Sequence, residues 1–168
     1  MKLKIKVLLK EGGHYPTINE NGDWIDFHSS YEVKLNGPKC DEALNVTFEE
    51  TFVNLGVAMQ MPKGYELVIN ARSSAERTYG FMLTNAQGII DNTYCGRKDE
   101  IKAHIIAVKK CYIPRHERIC QFRVQLSQFA TPWQRFKNLF YNGIKLVPVM
   151  DLNNKDRKGF GEGTKHVE

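Results

Sequence analysis

The sequence has no apolar run long enough to cross a membrane and no dense lysine–arginine run with interleaved aromatic residues. A membrane-spanning helix needs about 20 consecutive apolar residues, so we expect no membrane-embedded segment. Because the net charge of +5 is not gathered in a basic tract, it indicates a polyphosphate ligand rather than nucleic acid. The chain begins with alternating charged and apolar residues, which predicts a strand and not a signal peptide.

The sequence also lacks the close cysteine and histidine spacings of metal sites. Its cysteines are Cys40, Cys95, Cys111 and Cys120. None of them forms a C-x-x-C pair, which argues against a structural zinc site and favours reduced thiols in a cytoplasmic protein. The histidines are His14, His28, His104, His116 and His166. They show no ligand spacing, so we expect them at the surface or in structural roles.

Glycine and proline interrupt the chain at short intervals, and no long helical period occurs before Ser127. Many short, alternating segments at this spacing predict an all-β sandwich, jelly roll or barrel. A chain of 168 residues fits one domain, which we place at residues 1–150. The remaining residues, 151–168, are polar and glycine-rich and predict a mobile C-terminal tail.

The strand pattern begins at Lys2–Leu9, and Glu11–Gly22 and Asn36–Leu44 are predicted to be loops. The other predicted strands are Trp24–His28, Tyr31–Leu35, Thr47–Val53, Leu55–Met61, Tyr65–Asn70, Ile101–Val108, Arg118–Leu126 and Ile144–Val149. Pro132–Tyr141 has aromatic residues at helical spacing. It predicts a short amphipathic helix that either covers the barrel, the simpler interpretation, or contacts another subunit.

The most informative stretch runs from Arg72 to Gly96. Within it, the apolar runs Tyr79–Leu83 and Gly88–Ile90 flank a polar turn, which predicts a β-hairpin presenting the Asn85 amide. Upstream, Arg-Ser-Ser combines a guanidinium with two hydroxyls and suits an oxyanion such as phosphate. Downstream come a carboxylate and an aromatic ring, so the unit has the parts of a nucleotide site.

Five short blocks follow one another in order along nearly the whole chain. They are Gly22–Asp26, Leu55–Tyr65 with Arg72–Ser74, Asn85 with Gly88–Gly96, Glu117–Gln121, and Asp156–Gly161. Together they resemble the homotrimeric dUTP pyrophosphatases, or dUTPases, in particular a bacterial and phage branch of that family. The last block departs most from the family pattern, because Glu162 stands where a serine usually meets the terminal phosphate. The resemblance implies a jelly-roll or distorted β-barrel whose tail closes over the active site.

The resemblance also implies hydrolysis of dUTP to dUMP and pyrophosphate, which limits uracil incorporation into DNA. Water would attack the α-phosphorus while Mg²⁺ gathers the three phosphates. Asp91 would be the general base that orients and deprotonates the water. Asp26 would reach the metal through water, because Mg²⁺ keeps part of its hydration shell. The sites would form between subunits of a homotrimer.

The substrate contacts implied by the resemblance come from separate parts of the chain. Asn85, with Gly88 and Ile90, would hold the uracil edge, and Tyr94 would lie against the deoxyribose and exclude a 2′-hydroxyl. Four residues would hold phosphate oxygens: Arg72, Ser73, Ser74 and Gln121. On local grounds alone, Asp91 and Asn85 also fit ordinary turns, and Tyr94 fits a half-buried strand position.

The tail would contribute a phosphate clamp, Arg157, and an aromatic lid, Phe160. We expect Lys155–Glu168 to be disordered without ligand, because this composition cannot bury enough apolar surface to offset its ordering entropy. Ligand binding would then order the tail over the nucleotide.

Two alternatives remain open from the sequence. A dCTP deaminase of the same fold would also carry Arg-Ser-Ser, and Arg77 stands where its next arginine is expected. Deamination, however, needs a glutamate where this chain has Ile101, with Glu100 one position short. The second alternative is a dUTPase-fold regulatory protein with an unidentified partner, for which Glu162 and the aromatic segment near Trp133 are the motivation.

Overall fold

The computed structural model describes residues 1–20, 22–157 and 159. Its strands are β1 (Leu3–Leu9), β2 (Thr17–Ile18), β3 (Ile25–His28), β4 (Val33–Leu35), β5 (Lys39–Cys40), β6 (Val46–Thr47), β7 (Glu50–Gln60), β8 (Tyr65–Ala71), β9 (Phe81–Leu83), β10 (Gln87–Asp91), β11 (Glu100–Ala107), β12 (Cys111–Ile113), β13 (Arg118–Leu126) and β14 (Ile144–Val149). The helices are α1 (Ala75–Tyr79) and α2 (Pro132–Asn138). The all-β prediction is therefore confirmed.

Two five-stranded sheets form the body, in the orders β14-β1-β7-β11-β9 and β10-β8-β13-β3-β2. One apolar core draws side chains from both sheets, including Ile5 of β1 and Phe122 of β13. Strand β1 shows why the pattern folds this way: Leu3, Ile5 and Val7 are buried, and the lysines between them are exposed. The helices of the described residues are too short to cross a membrane.

The segment predicted as two strands around Asn54 is the single strand β7. Gly56 lies within it at a φ of 68°. Its amide donates to the carboxylate of Glu100 (3.1 Å), beside a shift in the β7–β11 register between Glu100 and Lys102. The strand therefore continues through an irregularity that the sequence pattern shows as a break.

The predicted hairpin is wrong, because its two strands lie in different sheets. Strand β9 pairs with β11, and strand β10 pairs with β8. The turn at Thr84–Ala86 therefore crosses from one sheet to the other. Each short strand gains a long neighbour and a buried face this way, whereas an isolated two-stranded hairpin is only marginally stable.

Short elements also interrupt segments predicted as loop or strand. Helix α1 has five residues and ends at Gly80, whose φ is 82°, and five residues are too few to show a helical period. Strands β2 and β5 lie in the two predicted loops and have two residues each.

All four cysteines are free thiols, as predicted.

Helix α2 begins as the sequence indicates. Thr131 and Gln134 form a capping box, and Pro132 occupies the first turn. None of the helix residues is buried, and Trp133 and Phe136 are 61% and 50% exposed. The interpretation of α2 as a cover is therefore wrong for the single chain, and the alternative of a subunit contact stays a prediction.

Candidate active site

Asp91, the predicted base, is the last residue of β10 and lies at the mouth of a cleft of about 740 Å³. One carboxylate oxygen accepts hydrogen bonds from the backbone amide and hydroxyl of Thr93, at 2.7 and 2.5 Å. The other accepts from the guanidinium of Arg157, which also donates to the Thr93 hydroxyl at 2.7 Å. The three residues form one hydrogen-bonded group facing the cleft.

The electrostatics of this group favour the charged carboxylate. Burial raises the pKa of Asp91, but the hydrogen bonds from Thr93 and Arg157 lower that pKa by more. The pKa of Asp91 therefore lies below its ordinary value, so the side chain is an acceptor at neutral pH. A carboxylate in this state is able to orient and deprotonate a water molecule.

Tyr94 follows this group and is 8% exposed. Its hydroxyl donates to the backbone carbonyl of Glu100 at 2.9 Å. A side-chain carbon added at Gly159 would lie 2.9 Å from the Tyr94 ring, so Gly159 of the tail lies against that ring. The predicted sugar contact is thus an aromatic ring that the tail approaches closely.

The predicted uracil residues line a separate pocket of about 150 Å³. Asn85, Gly88 and Ile90 meet there with Leu83 and Ala103. The Asn85 side-chain nitrogen lies 3.6 Å from the position that a side-chain carbon would take at Gly88. The pocket therefore combines an amide, backbone groups and an apolar wall, which suits a planar polar ring.

Two of the predicted phosphate residues, Arg72 and Gln121, adjoin Asp26, which is 4% exposed. One oxygen of its carboxylate lies 3.3 Å from the guanidinium of Arg72 and 3.5 Å from that of Arg118. Gln121 lies opposite Asp26 in the β13–β3 register. Ser73 and Ser74 follow Arg72 in the turn that leads into α1. Asp26 is thus held between two guanidiniums, and Glu117 adds a second carboxylate to the same cluster, where it accepts from the Tyr79 hydroxyl.

The Asp91 group and the Arg72–Asp26 group lie at opposite ends of β8. Asp91 pairs with Glu66 near its start, whereas Arg72 follows its last residue, Ala71. The six residue steps from Glu66 to Arg72 span about 20 Å of extended strand. A triphosphate is much shorter than this separation.

The described part of the tail is hydrogen-bonded to the loop after Tyr94. Asp156 accepts from the Lys98 amide at 2.7 Å, and the Arg157 amide donates to Asp99 at 3.0 Å. A side-chain carbon at Gly96 would lie within 2.4 Å of Asp156, so only glycine leaves room for this contact.

The tail starts from a buried anchor. Leu152 is 2% exposed and packs against Leu8 and Ala58. Phe160, the predicted lid, and Glu162 lie outside the described residues.

Sequence reasoning missed several members of these groups. Thr93 and Arg118 stand inside the quoted blocks, but nothing in the pattern indicated that they contact the two carboxylates. A histidine cluster was missed as well: the Nδ1 atoms of His14 and His28 are 2.9 Å apart, and the His14 and His116 rings are 5.6 Å apart. These contacts join distant segments, which spacing along the sequence cannot reveal.

Metal-binding capacity within the chain is limited. Among residues 1–20, 22–157 and 159, no group of three or more His, Cys, Asp or Glu side chains is placed to hold a metal ion. Asp26 supplies a single carboxylate already shared by two arginines. Such a donor set fits a water-mediated contact to an ion held mainly by substrate phosphates, as Mg²⁺ commonly is.

Comparison with known sequences identifies the family. The family model described as dUTPase matches residues 39–139. The SPbeta prophage-derived deoxyuridine 5'-triphosphate nucleotidohydrolase YosS of Bacillus subtilis is 34% identical, over 98% of this chain and 100% of its own. The chain belongs to the dUTPase family. The deoxyuridine 5'-triphosphate nucleotidohydrolase of a Hydrogenobaculum species is 38% identical over 98% of this chain and 97% of its own.

Solved dUTPase structures have the same fold. The Streptococcus mutans dUTPase covers 75% of this chain and 98% of its own, with a TM-score of 0.62 and 18% identity. Staphylococcus bacteriophage 80alpha dUTPase with dUPNHPP covers 96% and 98%, with a TM-score of 0.60 and 18% identity. A mutant dUTPase of phage phi11, whose structure details the coordination of a structural Mg(II) ion, covers 76% and 92%, with a TM-score of 0.59 and 18% identity. The jelly-roll prediction is thereby confirmed.

Proposed function

We propose that this dUTPase-family chain hydrolyses dUTP to dUMP and pyrophosphate, with Asp91 as the general base. The observation that carries the proposal is the Asp91–Thr93–Arg157 group at the mouth of its cleft. Thr93 fixes one carboxylate oxygen, and the low pKa keeps the carboxylate charged. In the reaction, Arg157 turns from Asp91 to a phosphate oxygen and frees the carboxylate for the attacking water. Asp91 then takes the proton of that water as it attacks the α-phosphorus.

Selectivity in this proposal comes from the pocket and from the tyrosine. Asn85 and the backbone at Gly88 and Ile90 pair with the uracil edge and reject cytosine, whose donors and acceptors are reversed. Tyr94 supports the deoxyribose. Its hydroxyl is already bonded to Glu100, so its ring is held in place and leaves no room for a 2′-hydroxyl.

The phosphates bind to Arg72, Ser73, Ser74 and Gln121 of another subunit. The separation of Asp91 from Arg72 along β8 supports this arrangement, because one chain holds only half of the groups that a single substrate needs. We therefore propose a homotrimer with sites between subunits. Residues Arg157 and Phe160 complete the site when the tail closes.

The proposed cofactor is Mg²⁺, which when bound neutralises the phosphate oxygens and orients the triphosphate for attack by water. Asp26 would hold the ion through water, and Arg118 keeps that carboxylate in position. A partly solvated ion agrees with the single carboxylate available here.

The test is pyrophosphate release from dUTP, dCTP, dTTP and UTP, each with and without Mg²⁺. We expect turnover of dUTP to be far above that of the others and to depend on the metal. Comparable turnover of dCTP would contradict the proposal.

The deaminase alternative is less well supported. Glu100 is the nearest candidate for its catalytic glutamate, yet the side chain accepts from the Gly56 amide within the sheet. Ammonia release from dCTP distinguishes the two activities. A purely regulatory protein would release neither product.

A further inference from the structure

A second cleft, of about 580 Å³, lies behind the Asp91 loop and is lined by lysines. Lys4 and Lys6 come from β1, Lys63 from the turn before β8, and Lys155 from the tail. None of the four pairs with a carboxylate in the described part of the chain, and no acidic side chain is among the described lining residues. Four ammonium groups around one concave surface attract an anion strongly.

The remaining lining narrows the class of anion. Asn92, Thr93 and Asn154 supply hydrogen-bonding groups, and Met61 and Pro62 supply an apolar wall. Lysines are point charges on flexible stems, which suit phosphate oxygens spread along a chain better than a single planar carboxylate. The described lining contains no aromatic ring, whereas sites for single-stranded nucleic acid usually stack bases on aromatics.

We infer that this lysine cleft is a second ligand site, which binds a polyphosphate chain. This polyphosphate is either inorganic or the phosphate end of a nucleotide. An occupant joins Lys155 of the tail to Lys4 and Lys6 of β1. It thereby holds the tail against the body two residues before Arg157.

The cleft is also coupled to the Asp91 site. Asn92 and Thr93 line both clefts, and Thr93 bonds to both Asp91 and Arg157. A ligand in the lysine cleft therefore contacts the loop that positions the proposed base, without entering the cleft at Asp91.

The test uses the full-length protein, with its active site filled by a non-hydrolysable imido analogue of dUTP. Tripolyphosphate is then titrated by calorimetry without Mg²⁺. We expect saturable binding, weakened roughly tenfold or more by the triple variant Lys4→Gln, Lys6→Gln, Lys63→Gln. The matched control is Lys34→Gln, Lys39→Gln, Lys110→Gln, which makes the same charge change on exposed residues away from the cleft and should bind within twofold of the unmodified protein.

Two further measurements define the occupant and its effect. ATP binding more tightly than tripolyphosphate would identify a nucleotide, and the reverse order would identify an inorganic chain. Amide hydrogen exchange at Asn154–Arg157 should slow on tripolyphosphate binding in the unmodified protein and not in the cleft variant.

The inference is overturned if the analogue-filled protein does not bind tripolyphosphate, or if both triple variants weaken binding equally. Equal weakening would mean that only net charge matters. Failure of the protein to bind the dUTP analogue would count against the proposed function instead, so the two failures are distinguishable.

Discussion

Asp91 and Arg157 are hydrogen-bonded to each other within one chain, although 65 positions separate them in the sequence. This contact places a tail residue on the proposed base before any substrate is bound. The carboxylate is thereby kept charged, and the guanidinium is held near the place where phosphate must arrive. In the proposed reaction, Arg157 leaves Asp91 for phosphate.

The first prediction concerns Asp91→Asn. This change preserves shape and removes the base, so the affinity for the imido analogue of dUTP should persist. Turnover should fall by about 10²- to 10⁴-fold, the usual contribution of a general base. Steady-state pyrophosphate release and analogue titration measure the two effects. Asp23→Asn makes the same chemical change at an exposed position and should leave both unchanged; near-normal turnover in Asp91→Asn would exclude Asp91 as the base.

Arg157→Gln should change the pH dependence as well as the rate. The guanidinium lowers the pKa of Asp91, so its removal raises that pKa. Because the reaction needs the carboxylate deprotonated, the acid limb of kcat/KM should move to higher pH. Arg115→Gln makes the same charge change away from the cleft and should leave the limb in place. If the acid limb of kcat/KM lies at the same pH in Arg157→Gln as in the unmodified protein, the Asp91–Arg157 pair does not form in the free enzyme.

Mixing two inactive variants should restore activity. In the proposed homotrimer, Asp91→Asn and Arg72→Gln would each inactivate the trimer that they form alone, but a mixed trimer would contain sites with one intact residue from each chain. Co-expression with different tags, tandem purification and a pyrophosphate assay should give activity above either parent. Mixed trimers no more active than the parents would show that both residues act from the same chain.

The histidine cluster should make stability depend on pH. Burial and the nearby His14, His116 and Arg118 lower the pKa of His28 to about 4, while Glu117 raises it. The folded protein thus favours the neutral ring. The stabilisation that this preference gives is fully present above pH 6.5 and is lost as the pH falls toward 4. A shift of that size corresponds to roughly 3 kcal/mol.

Urea unfolding between pH 7 and 4 measures this effect. The free energy of unfolding should fall less steeply in His28→Gln than in the unmodified protein. Parallel curves for the two proteins would mean that His28 does not titrate differently on folding.

Removing the tail after Asn153 should leave folding intact and severely reduce turnover. This truncation keeps Leu152, whereas truncation after Met150 also removes that buried side chain. Loss of a buried leucine typically costs about 2–5 kcal/mol, so only the shorter protein should unfold at clearly lower temperature. Full dUTP turnover in the protein ending at Asn153 would mean that the tail is only a linker.

The sequence predicted elements better than it predicted their partners. The alternation in β1 and the helical spacing of the aromatic residues in α2 are local, so they could be recognised without coordinates. The hairpin prediction failed because a period of two shows which face of a strand is buried but not which strand lies beside it. Strands β9 and β10 each look like half of a hairpin, and only the sheet order separates them.

The same limit applies to the candidate site. The resemblance supplied Asp91 and Arg72 as residues, but their separation along β8 follows from register alone. Thr93 was missed because a turn threonine has no distinctive pattern. Arg118 was missed because its carboxylate partner lies on another strand.

The buried position of Leu152 turns the tail into a tether of fixed length. Phe160 follows it by eight residues, so its reach from Leu152 is at most about 28 Å. Groups held on so short a tether have an effective local concentration in the millimolar range. Contacts that would give only a millimolar dissociation constant between separate molecules would therefore be sufficient for the proposed closure of the tail.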